Sequence, residues 1–537
     1  MKEKFTGWNI LFSQYMRRDW KKILLWILGL GVFCGGFVPA FEEIAKGDGL
    51  VGMFETLKNP AMISMIGPTP VKNVADYTLG AMYAHEMLLF CGLFSMVISG
   101  LHVISHTRKE EDLGMAELVR SFRVGRQANS LAVLKETVVI NLLLIGFITG
   151  LMIFFNIKGI DLKGSLLFAS SIGMAGMFGA VLALVFAQLM TTSSGATSGT
   201  LGVIGVLYIW RAATDTSYSE LSIFNPMSWI YLTHPFTENN LSPLLYSFIL
   251  MILLFFIANL LENFRDMGAG YLPERMGRPE AKQSLLSVRG LLFRMNRGMI
   301  LSWSVGFLLM GIAYGSIYGD MGTFLSSNEL IEAMFTQAGI SIEDSFTQSI
   351  MSILILLTII LPIAIINKLF TEESELRLSQ LYATKVSRTR VFCTAIGLAL
   401  TVGLVAICLA AGSLGTAAVL SIGNTNSLNV ADFFKAGYNF LPAMLFFIGI
   451  ASVLLGWLPK WNKLTYIYLV YTFILNYFGN LLNLPEWFKK TAILNWIPAL
   501  PVEDFNLRIF GVISILSLVL IAIGLLGYQQ RDLIEGA

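Results

Sequence analysis

Apolar runs of about 20 residues, long enough to cross the hydrocarbon core of a bilayer as an α-helix, recur along almost the whole chain. Six lie in the first half, near 23–43, 87–106, 131–155, 165–190, 196–213 and 243–262. Six more follow, near 299–319, 346–367, 391–414, 437–458, 464–483 and 509–528. The run ATSGTLGVIGVLYIWRAA (196–213) is the least apolar, because Gly and Thr interrupt it. Of the 537 residues 55% are apolar and 13% charged, whereas an ordinary soluble chain is about 25% charged. The expected fold is an all-α polytopic membrane protein, with membrane lipid as its immediate surroundings.

Orientation follows from the basic residues. The N-terminal segment carries Lys2, Lys4, Arg17, Arg18, Lys21 and Lys22; the mid-chain connector carries Arg265, Arg275, Arg278, Lys282, Arg289, Arg294 and Arg297. The loop from Asp320 to Asp344 is acidic and holds neither Lys nor Arg. An even number of spans then places both termini and the connector in the cytoplasm and the acidic loop outside. No small-residue cleavage site follows the first run, so a retained anchor is predicted rather than a removable signal peptide. A net charge of +2, without basic clusters interleaved with aromatics, excludes nucleic acid as an expected partner. Cys34, Cys91, Cys393 and Cys408 stand singly in apolar runs and read as buried small hydrophobes, not as a disulfide framework or a zinc site.

The chain also reads twice. Between the second and third runs lies EEDLGMAELVRSFRVGR (110–126), heavily charged, yet with Met115, Leu118, Val119 and Phe122 at the spacing of one helix face. EESELRLSQLYATKVSR (372–388) stands at the same place after the eighth run. At an offset of 262, Glu110, Glu111, Val124 and Arg126 meet Glu372, Glu373, Val386 and Arg388, and Arg123 meets Lys385. At an offset of 266, Pro235 meets Pro501 and Arg265–Asp266 meets Arg531–Asp532. Two fused six-helix halves in the same orientation are predicted: 1–268, a connector at 269–298, and 299–537. Gly31 and Gly35 in the first span, and Gly311, Gly315 and Gly319 in the seventh, have the four-residue spacing that lets helix backbones approach closely. They are candidates for half-to-half helix packing.

Catalytic signatures are missing. No GxxxxGK[ST] loop exists, so the chain is expected to bind no nucleotide in that way and to need no cofactor of its own. His102 and His106 have metal-ligand spacing, but the sequence places no third ligand near them, and a pair at the membrane interface is the expectation. His85–Glu86 begins an HExxH pattern that Phe90 ends, and no GxSxG elbow appears. Charges within the runs are scarce: Lys135, Glu136 and Arg211 lie near span ends, where long side chains reach the interface.

Several longer elements carry a family likeness: NPAMISMIGP (59–68), HTRKEEDLGMAELVRSFRVGR (106–126), FNPMSWIYLTHPF (224–236) and RDMGAGYLPERMGRP (265–279) in the first half. TEESELRLSQLYATKVSRTR (371–390), LPEWFKKTAILNWIPALP (484–501) and GYQQRDL (527–533) follow in the second. With them the chain resembles the large twelve-span permeases of ABC type-2 exporters, the group that includes polyether and polyketide antibiotic exporters. Two departures loosen the symmetry of the halves: Leu376 stands where the first copy has Gly114, and Ala492 where the first has Pro226.

The resemblance implies the type-2 exporter transmembrane domain. It would have elbow helices at about 5–20 and 281–297, coupling helices at about 107–127 and 369–390, and helical hairpins at 221–240 and 485–505 on the outer side. ATP and Mg would sit on a separate nucleotide-binding ATPase subunit, one copy docking under each half. Glu110, Glu111, Arg120, Arg123, Arg126, Glu372, Glu373, Lys385 and Arg388 would then form the charged ATPase-coupling face, with the apolar face of each helix packed on the spans. The implied function is a permease, not itself an enzyme, exporting a small amphiphilic compound across the plasma membrane. The alternatives are a secondary transporter of the twelve-helix type, which needs ionisable groups near the midplane, and a membrane-embedded enzyme on lipid-linked substrates, which needs a polar catalytic cluster.

Overall fold

The computed structural model describes residues 2–46, 49–58, 60–272, 279–320, 342–422, 429–478, 485–498 and 500–533. The acidic loop beyond Asp320, Arg275, Arg278 and Asn59 fall outside the described residues. Among those described, every regular element is helical. In the first half the long helices are α1 (Trp8–Gly35), α2 (Leu79–His106), α3 (Ala128–Phe154), α4 (Leu162–Leu189), α5 (Ser193–Ser217) and α6 (Ser242–Phe264). In the second they are α7 (Val288–Ser316), α8 (Ile342–Ser374), α9 (Arg388–Ile422), α10 (Leu441–Trp457), α11 (Leu464–Phe478) and α12 (Leu507–Gln530). Each stands where an apolar run predicts a span, and 10 helical stretches are long and apolar enough to cross a membrane. The other two are α5, diluted by its Gly and Thr, and α11, whose 15 residues stop at the edge of the described set.

The chain divides into two compact units, one built mainly on Met1–Met276 and one mainly on the chain from Gly277 onward. In the first, helix starts are marked by capping side chains. Thr78, Asp161 and Thr192 accept from the backbone N–H groups of Ala81, Gly164 and Gly195 at 3.3, 3.3 and 3.1 Å. α4 is the central helix, with 78% of its apolar window buried against 17% for α6. Glycine makes that burial possible, since a Cβ on Gly179 would lie 2.1 Å from the Met96 carbonyl of α2. α6 instead turns Phe248, Ile249, Ile252 and Phe256 outward, an apolar surface suited to lipid. The second unit repeats the contrast: α8 is largely buried, whereas α7 and α12 are mostly exposed.

Three expectations change. The spaced glycines do not mark a seam between halves; each faces a helix of its own unit. Gly31 and Gly35 lie against Phe147, Ile148 and Met152 of α3; Gly311, Gly315 and Gly319 lie against Ser413, Leu414, Ala417 and Ser421 of α9. Close backbone approach is served inside each six-helix unit, between its first and third spans. Second, no separate elbow helix occupies 5–20, because α1 runs unbroken from Trp8, and most of 281–297 belongs to α7. No Pro or Gly-rich break interrupts either stretch, so each continues into its span.

Third, 221–240 and 485–505 are not regular helical hairpins but short turns, Ser219–Phe224 and Ser228–Ile230 in one, Glu486–Lys489 and Ile493–Trp496 in the other. The first is fastened by Arg211, which is fully buried instead of reaching the interface. Arg211 pairs with Asp215 at 2.9 Å and donates to the carbonyls of Ser64 and Met65. Asp215 in turn accepts from Tyr231 at 2.7 Å and Ser222 at 2.5 Å. Asp215 and the two carbonyls take the terminal nitrogens of the guanidinium, which offsets much of the cost of burying the pair.

Candidate functional site

After α2 the chain forms a tight hairpin: a short helix Arg108–Asp112, a bend at Gly114 (φ 74°), a second short helix Met115–Arg120, and a return to α3. After α8 the same shape recurs, with the bend at Leu376 (φ 64°) and a helix Arg377–Tyr382. A Cβ on Gly114 would meet nothing within 4 Å, so glycine is required there by the left-handed backbone and not by crowding. Leu376 adopts the same conformation despite its side chain, which keeps the departure in sequence from becoming a departure in shape.

The acidic pairs point inward. Glu110 is 6% and Glu373 2% exposed, and Glu372 is buried as well. Glu110 accepts from Arg18 at 2.9 Å and Tyr15 at 3.1 Å, both on α1. Glu111 accepts from Arg265 at 2.8 Å, from Arg108 at 3.0 Å and from the Gly268 N–H at 2.7 Å. Arg108 is itself buried and donates to the carbonyls of Gly268, Ala269 and Thr191. In the second unit Glu373 accepts from both Nη nitrogens of Arg531, at 2.5 and 2.6 Å. Glu372 pairs with the exposed Arg377 at 2.8 Å. Arg126 donates to the Arg265 carbonyl, and Arg388 to that of Arg531 at 2.5 Å. Each hairpin is therefore pinned at its root to the residue that follows the last span of its unit.

This corrects the expected orientation: Glu110, Glu111, Glu372 and Glu373 do not present a charged outer face. Their partners stand up to 158 residues away in sequence, so local periodicity assigned them to solvent. The sequence signal that would have found Arg265 and Arg531 is the Arg–Asp pair closing each half. Of the remaining candidates, Arg123 and Lys385 are exposed, and Arg120 is half-buried and donates to the Arg126 carbonyl at 3.4 Å. The first hairpin instead exposes apolar side chains, Leu113 at 64%, Leu118 at 67% and Phe122 at 69%. Only Val119 of the predicted stripe packs on the spans. The second hairpin exposes Leu376, while Leu378 is buried and Tyr382 meets the Tyr528 hydroxyl at 2.7 Å, burial pushing the Tyr382 phenol up.

A second buried polar cluster lies beside the first hairpin. Glu136, expected at an interface, is fully buried on α3, with His102 Nε2 at 3.2 Å; His106 Nε2 is 2.8 Å from Asp19 of α1. The histidine pair thus has the third neighbour that the sequence did not place. Cys34 and Cys91 are buried as expected, whereas Cys393 and Cys408 are exposed on α9.

Residues 285–529 match the family model described as the multidrug efflux system permease Rv1217c, C-terminal domain. Over 98% of its length the chain is 27% identical to the multidrug efflux system permease protein Rv1217c of Mycobacterium tuberculosis (strain ATCC 25618 / H37Rv), covering 95% of that protein. The chain is thus similar, over nearly its whole length, to a multidrug efflux permease. The match spans both compact units. Its 10 candidate spans among the described residues suit a protein embedded in a membrane by its helices.

Proposed function

We propose that the chain is the transmembrane subunit of an ATP-driven exporter that moves amphiphilic compounds, drugs among them, out across the plasma membrane. Both termini and both hairpins face the cytoplasm in this reading. A separate nucleotide-binding ATPase, one copy under each half, supplies ATP and Mg; this chain contributes no phosphate-binding loop. The observation that carries the proposal is the buried Glu–Arg root of each hairpin, Glu111–Arg265 and Glu373–Arg531. A hairpin held that way moves with its helices instead of bending alone, so a push on its tip reaches the spans.

Coupling then divides between two sets of residues. Glu110, Glu111, Arg126, Glu372, Glu373 and Arg388 fix the hairpins to the spans. Leu113, Leu118, Phe122 and Arg123 in the first, and Leu376 and Lys385 in the second, meet the ATPase. Exposed apolar side chains rimmed by charge suit such a contact: the apolar centre supplies affinity, and the charges steer and register it. The relative's drug-efflux description supports the substrate class, as do the mostly uncharged walls of the spans.

A proton-coupled carrier is the second reading, and the buried Glu136 and the half-buried Glu86, whose Oε1 is enclosed, are what favour it. Inverted vesicles separate the two. With the chain co-expressed with its ATPase, a fluorescent amphiphilic dye should accumulate on adding ATP and stop when the ATPase's phosphate-loop lysine is replaced. Uptake driven by an imposed proton gradient, without ATP or the ATPase, would establish the carrier instead.

A further inference from the structure

We infer that His102, His106 and Glu136 form a binding site for a single transition-metal dication of the zinc class, held between α1, α2 and α3. Three groups capable of ligation, two imidazoles and one carboxylate, bring their ligand atoms within 4.8 Å of one another. The two imidazoles lie one helical turn apart on α2, with ring centroids 4.4 Å apart, and Glu136 enters from α3.

The state of Glu136 points to a missing partner. It is 0% exposed, and neither carboxylate oxygen makes a hydrogen bond. Its one close polar neighbour is His102 Nε2, 3.2 Å from Oε2, and that nitrogen makes no hydrogen bond either. The 3.2 Å between this nitrogen and oxygen is the separation at which two ligands of one ion are placed. Around a tetrahedral zinc with bonds near 2.0–2.1 Å, neighbouring ligand atoms stand roughly 3.3 Å apart. Among the described residues no ion pair joins Lys135 to Glu136; the Lys135 ammonium sits 3.6 Å from the Trp8 ring centroid. A buried carboxylate with no partner is strongly unfavourable, and a bound cation removes that cost.

The surroundings suit an ion as well. Asp19 Oδ2 lies 2.8 Å from His106 Nε2, the carboxylate contact that commonly orients a ligating imidazole. Lys22 and Arg18 contact Asp19 at 2.9 and 3.2 Å, and Arg18 also pairs with Glu110 at 2.9 Å. The nearby acids Asp19, Glu110 and Glu136 outnumber the bases Arg18 and Lys22, so a dication enters a site of net negative charge. Arg18 Nη2 and Ser105 Oγ each stand 3.2 Å from His106 Nδ1 and are the groups an ion would displace; Asp19 and Glu110 remain to hold Arg18, and the His102 carbonyl to accept from Ser105. Two imidazoles and one carboxylate select zinc-like ions over calcium or magnesium, which take oxygen donors. Bound there, the ion clasps the ends of α2 and α3 next to the first hairpin.

The test uses the full chain, carrying a purification tag free of histidine, stripped with a chelator in detergent and titrated with Zn2+. One ion per chain should bind, with Ca2+ and Mg2+ failing to compete. His102→Ala and Glu136→Gln should each weaken binding at least ten-fold, and Zn2+ should raise the melting temperature of the native chain but not of either variant. Stoichiometric binding lost in both variants supports the site. Absence of stoichiometric binding by the native chain overturns it, as does unchanged binding by Glu136→Gln, which would mark adventitious surface sites. Should a variant not fold, the native chain's stoichiometry and metal selectivity still decide.

Discussion

The hairpins after α2 and α8 have the same backbone course and the same buried root, yet different chemistry at the bend and at the tip. In the first, Glu111 has two arginines and a backbone N–H, because Arg108 joins Arg265. In the second, Phe370 occupies the position 262 residues after Arg108, and Glu373 accepts from both Nη nitrogens of Arg531. At the bend the first uses Gly114 and the second forces Leu376 into the left-handed region. At the tip the first exposes four large apolar side chains, Leu113, Met115, Leu118 and Phe122, the second only Leu376 among its described residues. The lesson is that root and tip carry separate tasks: the root is kept in both hairpins, whereas the tip is free to differ. An asymmetric tip also suits a contact whose affinity is concentrated on one half.

The largest expected effect sharpens the difference between the roots. Arg531→Ala leaves Glu373, almost fully buried, without its guanidinium, and should destabilise the second unit by about 3–5 kcal/mol. Arg265→Ala leaves Glu111 with Arg108 and the Gly268 N–H and should cost about 1–3 kcal/mol. Thermal unfolding of both variants in the same detergent reads the order; a larger loss for Arg265→Ala breaks the comparison. The bends give a smaller effect. Gly114→Leu meets no steric obstacle, so its cost is conformational, about 1–2 kcal/mol for a side chain in the left-handed region. Leu376→Gly should relieve that strain and be neutral or stabilising by less than about 1 kcal/mol. Equal losses from both substitutions would show that the two bends are not equivalent.

The spans were legible from the sequence because their signal is local: about 20 apolar residues in a row satisfy their own backbone and need no distant partner. The hairpins were legible as places, through the repeated acidic pairs, but not as surfaces. Charge at Glu110, Glu111, Glu372 and Glu373 read as solvent-facing because Arg18, Arg265 and Arg531, which receive Glu110, Glu111 and Glu373, arrive only by tertiary packing. The same blindness hid Glu136, read from its own span's edge when its neighbour was His102 on the preceding helix. Four-residue glycine spacing announced close helix contact at Gly31 and Gly311 without saying which helix supplies the partner. Spacing within one element fixes a face; only packing fixes what meets it.

The central claim is that the tip of the first hairpin, and not its acids, holds the ATPase. It is tested most directly by co-purifying the ATPase with the double variant Leu118→Ser, Phe122→Ser. Both side chains are mostly exposed, so stability should stay within about 0.5 kcal/mol of the native chain. ATPase recovered with the double variant should fall at least ten-fold, while Leu376→Ser in the second hairpin lowers it far less. Wild-type recovery from the double variant, with its unfolding temperature unchanged, would contradict the account and return the contact to the charged residues.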